Sequence, residues 1–347
     1  INLVYAIGAV ICIFAGNFTT LLVGLIIAGL ASGADLPVSM TVVSHDAPDD
    51  ATAARLVSTT QVFWQVGVFI SFICAFLVST MSGATGGRVV FAILAVFAVI
   101  AWAWRVFSPT FRRFHEEADA RDAARPATSY NTGKTSVMKV LFGADKKVLL
   151  TYFLAIVIFY VGWNLLANTW GQFQTYMFSK AGATQSLATG LGIILNLVTL
   201  VLNIVFASIA GGKYRNKAFF VGIIISVIAM IAMAMGGANL WVIVGATAFM
   251  NLGSPLAGEA LYKVWTQESF PIEIRASVQG FINGFSRLCC GLFALITPAL
   301  VLPETIQATM WCFAAIVVVE GIAGTVMIRA QKKYGTDEER QFAKANA

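Results

Sequence analysis

Long apolar runs recur along almost the whole chain. A helix that crosses a bilayer needs about 20 mostly apolar residues, and ten stretches of that kind can be counted. They lie at about 1–16, 20–43, 61–80, 88–107, 148–177, 187–211, 218–236, 238–266, 277–298 and 306–329. Short polar segments separate them, except for the long charged segment at 108–147. The pattern predicts an all-α membrane protein with four helices before this segment and six after it.

The composition agrees with a protein that lies mostly in lipid. Of the 347 residues, 58% are hydrophobic and 12% are charged, whereas soluble domains carry about 25% charged residues. A soluble enzyme and a disordered chain are therefore excluded. The two histidines, His45 and His115, lie at the edges of predicted helices without metal-ligand spacing, and the sequence has no phosphate-binding loop. We therefore expect no enzyme activity, no metal and no cofactor.

The basic residues report the orientation of the helices. If 108–147 is cytoplasmic, 19 of the 23 Lys and Arg residues lie on that side, because four lie elsewhere: Arg88, Lys180, Lys263 and Arg287. Cytoplasmic connections of membrane proteins carry an excess of basic residues. This distribution predicts a multi-pass protein of the plasma membrane (the inner membrane in a bacterium), with the central loop and the C-terminus cytoplasmic. The net charge of +6 then reflects topology, and no nucleic-acid partner is expected.

Two of these connections repeat the same order of residues. An acidic residue, a proline and an arginine follow each other in Asp46–Arg55 and again in Glu268–Arg275, about 220 residues later. Many secondary transporters are built from repeated halves. A six-helix repeat makes 20–43 the fourth helix and 238–266 the tenth, so we expect two helices to precede residue 1. The predicted domains are an N-terminal bundle at 1–107 (helices three to six), a central loop at 108–147, a C-terminal bundle at 148–330 (helices seven to twelve) and a cytoplasmic tail at 331–347.

Short motifs in the fourth helix and at the helix ends carry a family resemblance. They are Gly24–Gly29, Gly33–Pro37, Arg55–Ser58, Tyr176–Gly182, Gly212–Lys217 and Glu268–Arg275. Together they resemble the major facilitator superfamily, most closely its sugar porter branch. The resemblance implies two pseudo-symmetric bundles, with ten of twelve helices present. The sugar-binding glutamine pair of that branch falls here on Gly162 and Trp163, and its tryptophan on Lys263, so a standard hexose pocket is not expected.

Polar side chains within the spans supply the candidates for substrate binding. An unpaired polar group in hydrocarbon costs several kcal/mol, so such residues normally face the interior or a water-filled cavity. Asn164, Asn168 and Gln172 follow each other at intervals of four residues and form one stripe on the seventh helix, beside Trp163. Amides both donate and accept hydrogen bonds, as a hydroxyl-rich ligand requires. The other candidates are Gln61, which matches a family position that reaches bound sugar, and Trp64, Gln65, Asn196, Lys263 and Trp265. The alternative for each amide is a hydrogen bond between helices.

Charged side chains within the spans are the candidates for coupling transport to protons. Asp35 on the fourth helix and Glu259 on the tenth are carboxylates that are able to bind and release a proton. Asp35 is alternatively a structural carboxylate, held by the backbone or by the missing helices. Glu259 and Lys263 are four residues apart, so they form either a structural bridge or a site where Lys263 meets an anionic substrate. Arg287 contacts either the substrate or a carboxylate such as Glu320.

A second group of charges lies at the cytoplasmic ends of the helices. Glu268 with Arg275, and Asp46 with Arg55, resemble the charge network that latches the inward-closed state of the family. We therefore expect these four residues to act in gating and not in binding.

The function predicted from the sequence is secondary active transport, with proton-coupled uptake of a sugar or of a polyol such as a cyclitol. The expected partners are a small solute, protons and the lipid bilayer. Lys263, Arg287 and the absent glutamines favour an alternative, a proton-coupled symporter of an organic acid or another anionic metabolite. An alternative of another class is a transport-inactive solute sensor.

Overall fold

The computed structural model describes residues 1–46, 50–124, 141–143, 145–209, 214–336 and 339–340. Within these residues it contains thirteen helices and no strand. The chain divides into two compact units, Ile1–Tyr130 and Asn131–Ala347. The prediction of an all-α protein is therefore confirmed.

The described part of the first unit contains five helices, and the first two of them approach each other closely. The helices are α1 Asn2–Ile13, α2 Phe18–Asp46, α3 Asp50–Leu77, α4 Gly83–Phe107 and α5 Pro109–Ala124. A Cβ atom on Gly8 of α1 would lie 2.6 Å from the backbone nitrogen of Ala28, and one on Gly24 would lie 2.6 Å from Sγ of Cys12. Small residues at such a crossing allow two membrane helices to pack backbone against backbone.

Helix α5 lies inside the segment that the sequence analysis treated as a loop. Its first residue is Pro109, and proline is well suited to the first position of a helix because its missing N–H needs no partner there. His115 on this helix lies beside Asp46 at the end of α2, with Nδ1 and Oδ1 3.1 Å apart.

The second unit is organised around a long helix, α6. Its helices are α6 Lys146–Lys180, α7 Gln185–Ile209, α8 Arg215–Gly236, α9 Leu240–Gly253, α10 Glu259–Ser269, α11 Ile272–Ala294, α12 Thr297–Leu300 and α13 Ile306–Tyr334. Helix α6 packs against α13 and α11 and also contacts α7 and α10, while α8 packs against both α9 and α13. Buried apolar side chains from α6, α8, α10, α11 and α13 form a common core.

The span predicted at 238–266 is two helices, α9 and α10, separated by a turn at 254–258. Pro255 lies in this turn and has no N–H to donate to a continuing helix. Gly253 packs directly on α8, since a Cβ atom there would lie 2.7 Å from the carbonyl oxygen of Gly222. The break therefore occurs where the backbone of α9 is in close contact with α8.

Six helices of the described part are long and apolar enough to cross a membrane. The stretches are Phe18–Asp35, Gly83–Phe107, Lys146–Lys180, Gln185–Phe206, Arg215–Gly236 and Ile306–Tyr334. Three further apolar helices are shorter: Asn2–Ile13, Val62–Leu77 and Leu240–Gly253. The remaining predicted span, 277–298, corresponds mainly to α11, which carries several polar side chains.

Candidate functional site

The amide stripe of α6 is a continuous chain of hydrogen bonds. Nε2 of Gln172 donates to Oδ1 of Asn168 at 3.1 Å. Nδ2 of Asn168 donates to Oδ1 of Asn164 at 2.6 Å, and Nδ2 of Asn164 donates to Oγ of Ser286 on α11 at 2.9 Å. Asn164 is only 1% exposed, whereas Gln172 is exposed. The chain thus leads from an accessible amide to a buried one.

Arg287 lies beside the middle amide of this chain. Its Nη1 is 3.5 Å from Oδ1 of Asn168, and the residue is exposed. A guanidinium has five N–H donors in a fixed planar arrangement, so the stripe has a cationic group beside its amides. Glu320 was one expected partner of Arg287, but no bond between the two is found in the described part of the chain.

A narrow crevice next to the stripe is lined by both polar and apolar side chains. Asn168 and Gln172 line it from α6, and Phe173, Cys290 and Phe293 supply apolar surface. The crevice is closed in this structure and has no room for a water molecule.

Three aromatic rings stack beside the turn between α9 and α10. The ring of Tyr160 lies 5.8 Å from that of Trp163 and 3.9 Å from that of Tyr262, and both pairs are nearly parallel. Nε1 of Trp163 donates to Oγ of Ser254 in the turn at 2.9 Å, and the hydroxyl of Tyr160 donates to Oδ1 of Asn283 at 3.4 Å. The aromatic group is therefore bonded to the helix break and to α11.

Glu259 and Lys263 form an ion pair on α10. Nζ of Lys263 lies 3.2 Å from Oε1 of Glu259, and both side chains are largely buried. Glu259 is also in the first turn of α10, where a negative charge is favoured by the helix dipole. Of the two interpretations offered above, the bridge between the two side chains is the one that is formed.

Trp265 has a different environment from the other candidates. It is 0% exposed, and its ring lies 4.9 Å from that of Phe159 and 5.7 Å from that of Phe219. These contacts place it in the apolar core of the unit. Trp265 is therefore a packing residue, and its expected contact with substrate is not supported by its position.

Asn196 and a neighbouring amide on α9 bond to backbone. Nδ2 of Asn196 donates to the carbonyl of Gly192 in its own helix at 2.9 Å. Nδ2 of Asn251 donates across to the carbonyl of Leu195 on α7 at 3.1 Å. Asn251 was not predicted from the sequence, although an asparagine within an apolar run indicates a polar contact.

In the first unit, Asp35 is paired with a basic residue. Nη1 of Arg105 lies 2.9 Å from its Oδ1, and Nη2 of Arg105 donates to Oγ of Ser39 at 3.2 Å. The side chains of Asp35 and Arg105 are 31% and 52% exposed. As a structural carboxylate, Asp35 was expected to be held by the backbone or by the missing helices. Instead, α2 and α4 bring it to Arg105, which lies in the last turn of α4.

The candidates on α3 are only partly described. The ring of Trp64 is exposed, and Gln65 is buried. The side chains of Gln61 and Arg55, which were predicted to bind substrate and to act in gating, lie outside the described residues.

The gating charges are paired differently from the prediction. Glu268 binds Arg215 on α8 through two bonds, Nη1–Oε1 at 2.6 Å and Nη2–Oε2 at 3.0 Å. Arg275 instead donates from Nε to the carbonyl of Phe270 at 3.2 Å. The expected pairing of Glu268 with Arg275 was therefore wrong. Arg215 belongs to the Gly212–Lys217 motif, which supports the family resemblance. Its pairing with Glu268 was not predicted from the sequence.

Two residues near the C-terminus join the same network and were not predicted from the sequence. Nε2 of Gln331 donates to Oε2 of Glu268 at 3.2 Å and to Oγ of Ser269 at 3.1 Å. Nη2 of Arg340 donates to the carbonyl of Ser269 at 2.8 Å. The end of α10 is thus tied to α8, to α13 and to the segment after α13.

Comparison with known proteins gives a matching family and a similar transporter. A family model described as Major Facilitator Superfamily matches residues 1–294. The chain is 29% identical over 306 residues to the "Minor myo-inositol transporter IolF" of Bacillus subtilis (strain 168), covering 86% of this chain and 67% of that protein.

Two solved structures have a similar fold. One is a double tryptophan mutant of XylE, with a TM-score of 0.66 and 15% identity, covering 92% of this chain and 77% of the other. The second is a bacterial homolog of the human lysosomal transporter Spinster, in an inward-facing and occupied conformation. Its TM-score is 0.54 at 15% identity, covering 95% of this chain and 81% of the other.

Proposed function

Because the chain belongs to the Major Facilitator Superfamily, we propose that it is a secondary transporter that carries a sugar or polyol, such as a cyclitol, together with a proton by alternating access. Membership of the family makes the chain a transporter, an integral multi-pass membrane protein and not an enzyme, as the sequence predicted.

The observation that carries the choice of substrate is the hydrogen-bonded chain from Ser286 through Asn164 and Asn168 to Gln172. Each amide offers both donors and acceptors, so a molecule with several hydroxyl groups is able to exchange hydrogen bonds with it. The ring of Trp163 on the same helix is partly exposed. It offers flat apolar surface for the carbon face of a ring. The myo-inositol transporter among the relatives supports the same class of solute.

The second candidate substrate is an organic acid or another anionic metabolite. Its support is Arg287, whose guanidinium lies beside Asn168 and is exposed. Arginine binds carboxylates through paired hydrogen bonds. Lys263 adds less to this candidate, because its charge is compensated by Glu259.

Coupling of transport to protons is the second part of the proposal. The sequence named Asp35 and Glu259 as coupling carboxylates, and each forms an ion pair, with Arg105 and Lys263 respectively. Protonation of either carboxylate therefore requires its bridge to open, and such an opening has the character of a conformational switch.

The proposed arrangement in the membrane follows the basic residues. The central segment 108–147 and the tail 331–347 lie in the cytoplasm, in the plasma membrane or a bacterial inner membrane, with bundles at 1–107 and 148–330. In this orientation Arg215 and Glu268 lie at the cytoplasmic ends of their helices. There they are the gating pair of the second bundle.

Transport by the purified protein in proteoliposomes tests the proposal. Labelled myo-inositol, hexoses and dicarboxylates are offered with and without a pH gradient, and we expect uptake of a polyol or sugar that the gradient increases. Asn168→Ala should lower the apparent affinity at least tenfold, while Gln185→Ala, an exposed amide at the start of α7, should not change it. Uptake of dicarboxylates alone would exclude the polyol assignment, and solute binding without flux would indicate a sensor.

A further inference from the structure

Three carboxylates lie within the predicted membrane spans of the described chain, and they differ in their partners. Asp35 is 2.9 Å from Arg105, and Glu259 is 3.2 Å from Lys263. Glu320, in the middle of α13, forms no hydrogen bond or ion pair with any residue that the structure describes. It is nevertheless 4% exposed.

Glu320 is buried against α6 at a glycine. A Cβ atom on Gly162 would lie 3.6 Å from Cβ of Glu320 and 3.4 Å from Cγ2 of Ile316, which is one helical turn away on α13. Glu320 therefore extends from the face of α13 that contacts α6. Because Gly162 has no side chain, α6 leaves space on this face that a longer residue would fill.

Titratable groups on the helices that pack along α13 do not supply a counter-charge. Helix α8 has no titratable residue between Ala218 and Gly236. On α6 the titratable residue between Tyr152 and Tyr176 is Tyr160, whose hydroxyl donates to Asn283 on α11. On α13 itself the neighbouring titratable residues are Cys312 and Arg329, eight and nine residues away along the helix.

An ionised carboxylate in such surroundings would be very costly. Transfer of a charge without a partner into a medium of low polarity costs many kcal/mol, and the group becomes neutral instead. Intramembrane acids that are retained in spite of this cost commonly serve in proton relays. The surroundings of Glu320 therefore favour the carboxylic acid over the carboxylate.

We propose that Glu320 is a proton-binding site of the transport cycle, in addition to the two paired carboxylates. In the conformation described here it holds its proton as the neutral acid, packed against Gly162. When α6 moves away from α13 and water enters, the carboxyl O–H bond breaks and the proton passes to a water molecule, which leaves a hydrated carboxylate. This inference rests on the proposed proton-coupled transport.

The position of Gly162 links this site to the substrate residues. Trp163 and Asn164 follow Gly162 directly on α6, and both belong to the candidate site, through Ser254 and Ser286 respectively. A solute that binds Trp163 or Asn164 and shifts this segment of α6 changes the contact between Gly162 and Glu320. The release of the proton and the binding of the solute are thereby coupled through one stretch of helix.

Transport assays with Glu320→Gln separate this inference from the proposed function. The amide has the shape and neutrality of the protonated acid, so the variant should fold and should exchange solute across the membrane without a gradient. Accumulation driven by a pH gradient should fall at least tenfold, and a pH dye inside the vesicles should record no proton entry with solute. Glu304→Gln, in the exposed turn before α13, is the matched control and should behave as the wild type.

The other outcomes contradict either the role of Glu320 or the proposed transport function. Full proton-driven accumulation by Glu320→Gln overturns the assignment of Glu320, and so does a failure of this variant to fold. A wild-type protein that neither exchanges nor accumulates a polyol or sugar overturns the proposed function instead.

Infrared spectroscopy gives a readout that does not depend on transport. The wild-type protein should show the carbonyl band of a protonated, buried carboxylic acid, and the band should be absent from Glu320→Gln and present in Glu304→Gln. Identical spectra of the wild type and Glu320→Gln in this region would show that Glu320 carries no proton.

Discussion

Arg215 and Glu268 are joined by two parallel hydrogen bonds, 2.6 and 3.0 Å long, between the first residue of α8 and the end of α10. A planar guanidinium matches a carboxylate in this geometry, which makes such pairs both stronger and more directional than other ion pairs. The two residues are 53 positions apart in the chain. The pair therefore joins two helices that are not consecutive in the chain.

Replacement of Arg215 should destabilise the second unit. Arg215→Ala leaves Glu268 with only Gln331 as a donor among the described residues, and we expect a loss of about 1–3 kcal/mol because a partly buried carboxylate loses its partner. Thermal or denaturant unfolding in detergent measures this loss. Arg275→Ala should cost less. A larger loss for Arg275→Ala than for Arg215→Ala would restore the pairing predicted from the sequence.

Gly258→Ala should disturb the turn between α9 and α10. A Cβ atom there would lie 2.6 Å from Nε1 of Trp163, so the ring must move and the bond to Ser254 must weaken. Overpacking of this kind costs about 1–3 kcal/mol. We expect a weaker affinity for solute and a changed Trp fluorescence. Gly245→Ala on α9, where a Cβ atom meets nothing within 4 Å, should leave both unchanged.

Asn164 and Asn168 should depend on each other energetically. Their side chains are bonded at 2.6 Å, and residues within one hydrogen-bond network show coupling energies of about 0.5–3 kcal/mol. A double-mutant cycle with Asn164→Ala and Asn168→Ala, measured on solute binding or on unfolding, should give a value in this range. The same cycle with Asn164→Ala and Gln185→Ala should give a value near zero. Equal values in the two cycles would contradict the proposed amide chain.

Trp265 and Trp163 should respond differently to replacement. Trp265→Ala empties a fully buried core position, which costs about 3–5 kcal/mol, while the solute affinity of the folded protein should stay the same. Trp163→Phe keeps an aromatic ring but removes the donor to Ser254, so it should weaken solute binding with a smaller loss of stability. Unfolding midpoints and solute affinities of both variants make this comparison. A lower solute affinity of Trp265→Ala would return Trp265 to the substrate site.

The pair of Asp35 and Arg105 should contribute little to stability. Both side chains are partly exposed, and ion pairs of this kind are worth about 0–1 kcal/mol. Asp35→Asn should therefore unfold at nearly the same temperature as the wild type. If Asp35 couples protons to transport, this variant should still exchange solute but accumulate less of it under a pH gradient. Unchanged accumulation would remove Asp35 from the coupling role.

The sequence by itself determined the features that depend on spacing within one helix. Apolar runs predicted the membrane helices, and the motifs around Arg55 and Glu268 identified the superfamily. The interval of four residues predicted the Asn164–Asn168–Gln172 stripe and gave the bridge between Glu259 and Lys263 as one of two interpretations. In each case the reason is the same, because residues four apart lie on one face of a helix whatever surrounds it.

Only the tertiary structure decided which residues of different helices meet. Arg105 is the partner of Asp35, Arg215 that of Glu268 and Ser286 that of Asn164. Glu320 packs on Gly162 and has no counter-charge among the residues that the structure describes. These contacts depend on how each helix is rotated about its axis and how closely its neighbour approaches. Both are set by side-chain packing along the whole length of two helices, and no local interval in the sequence records them.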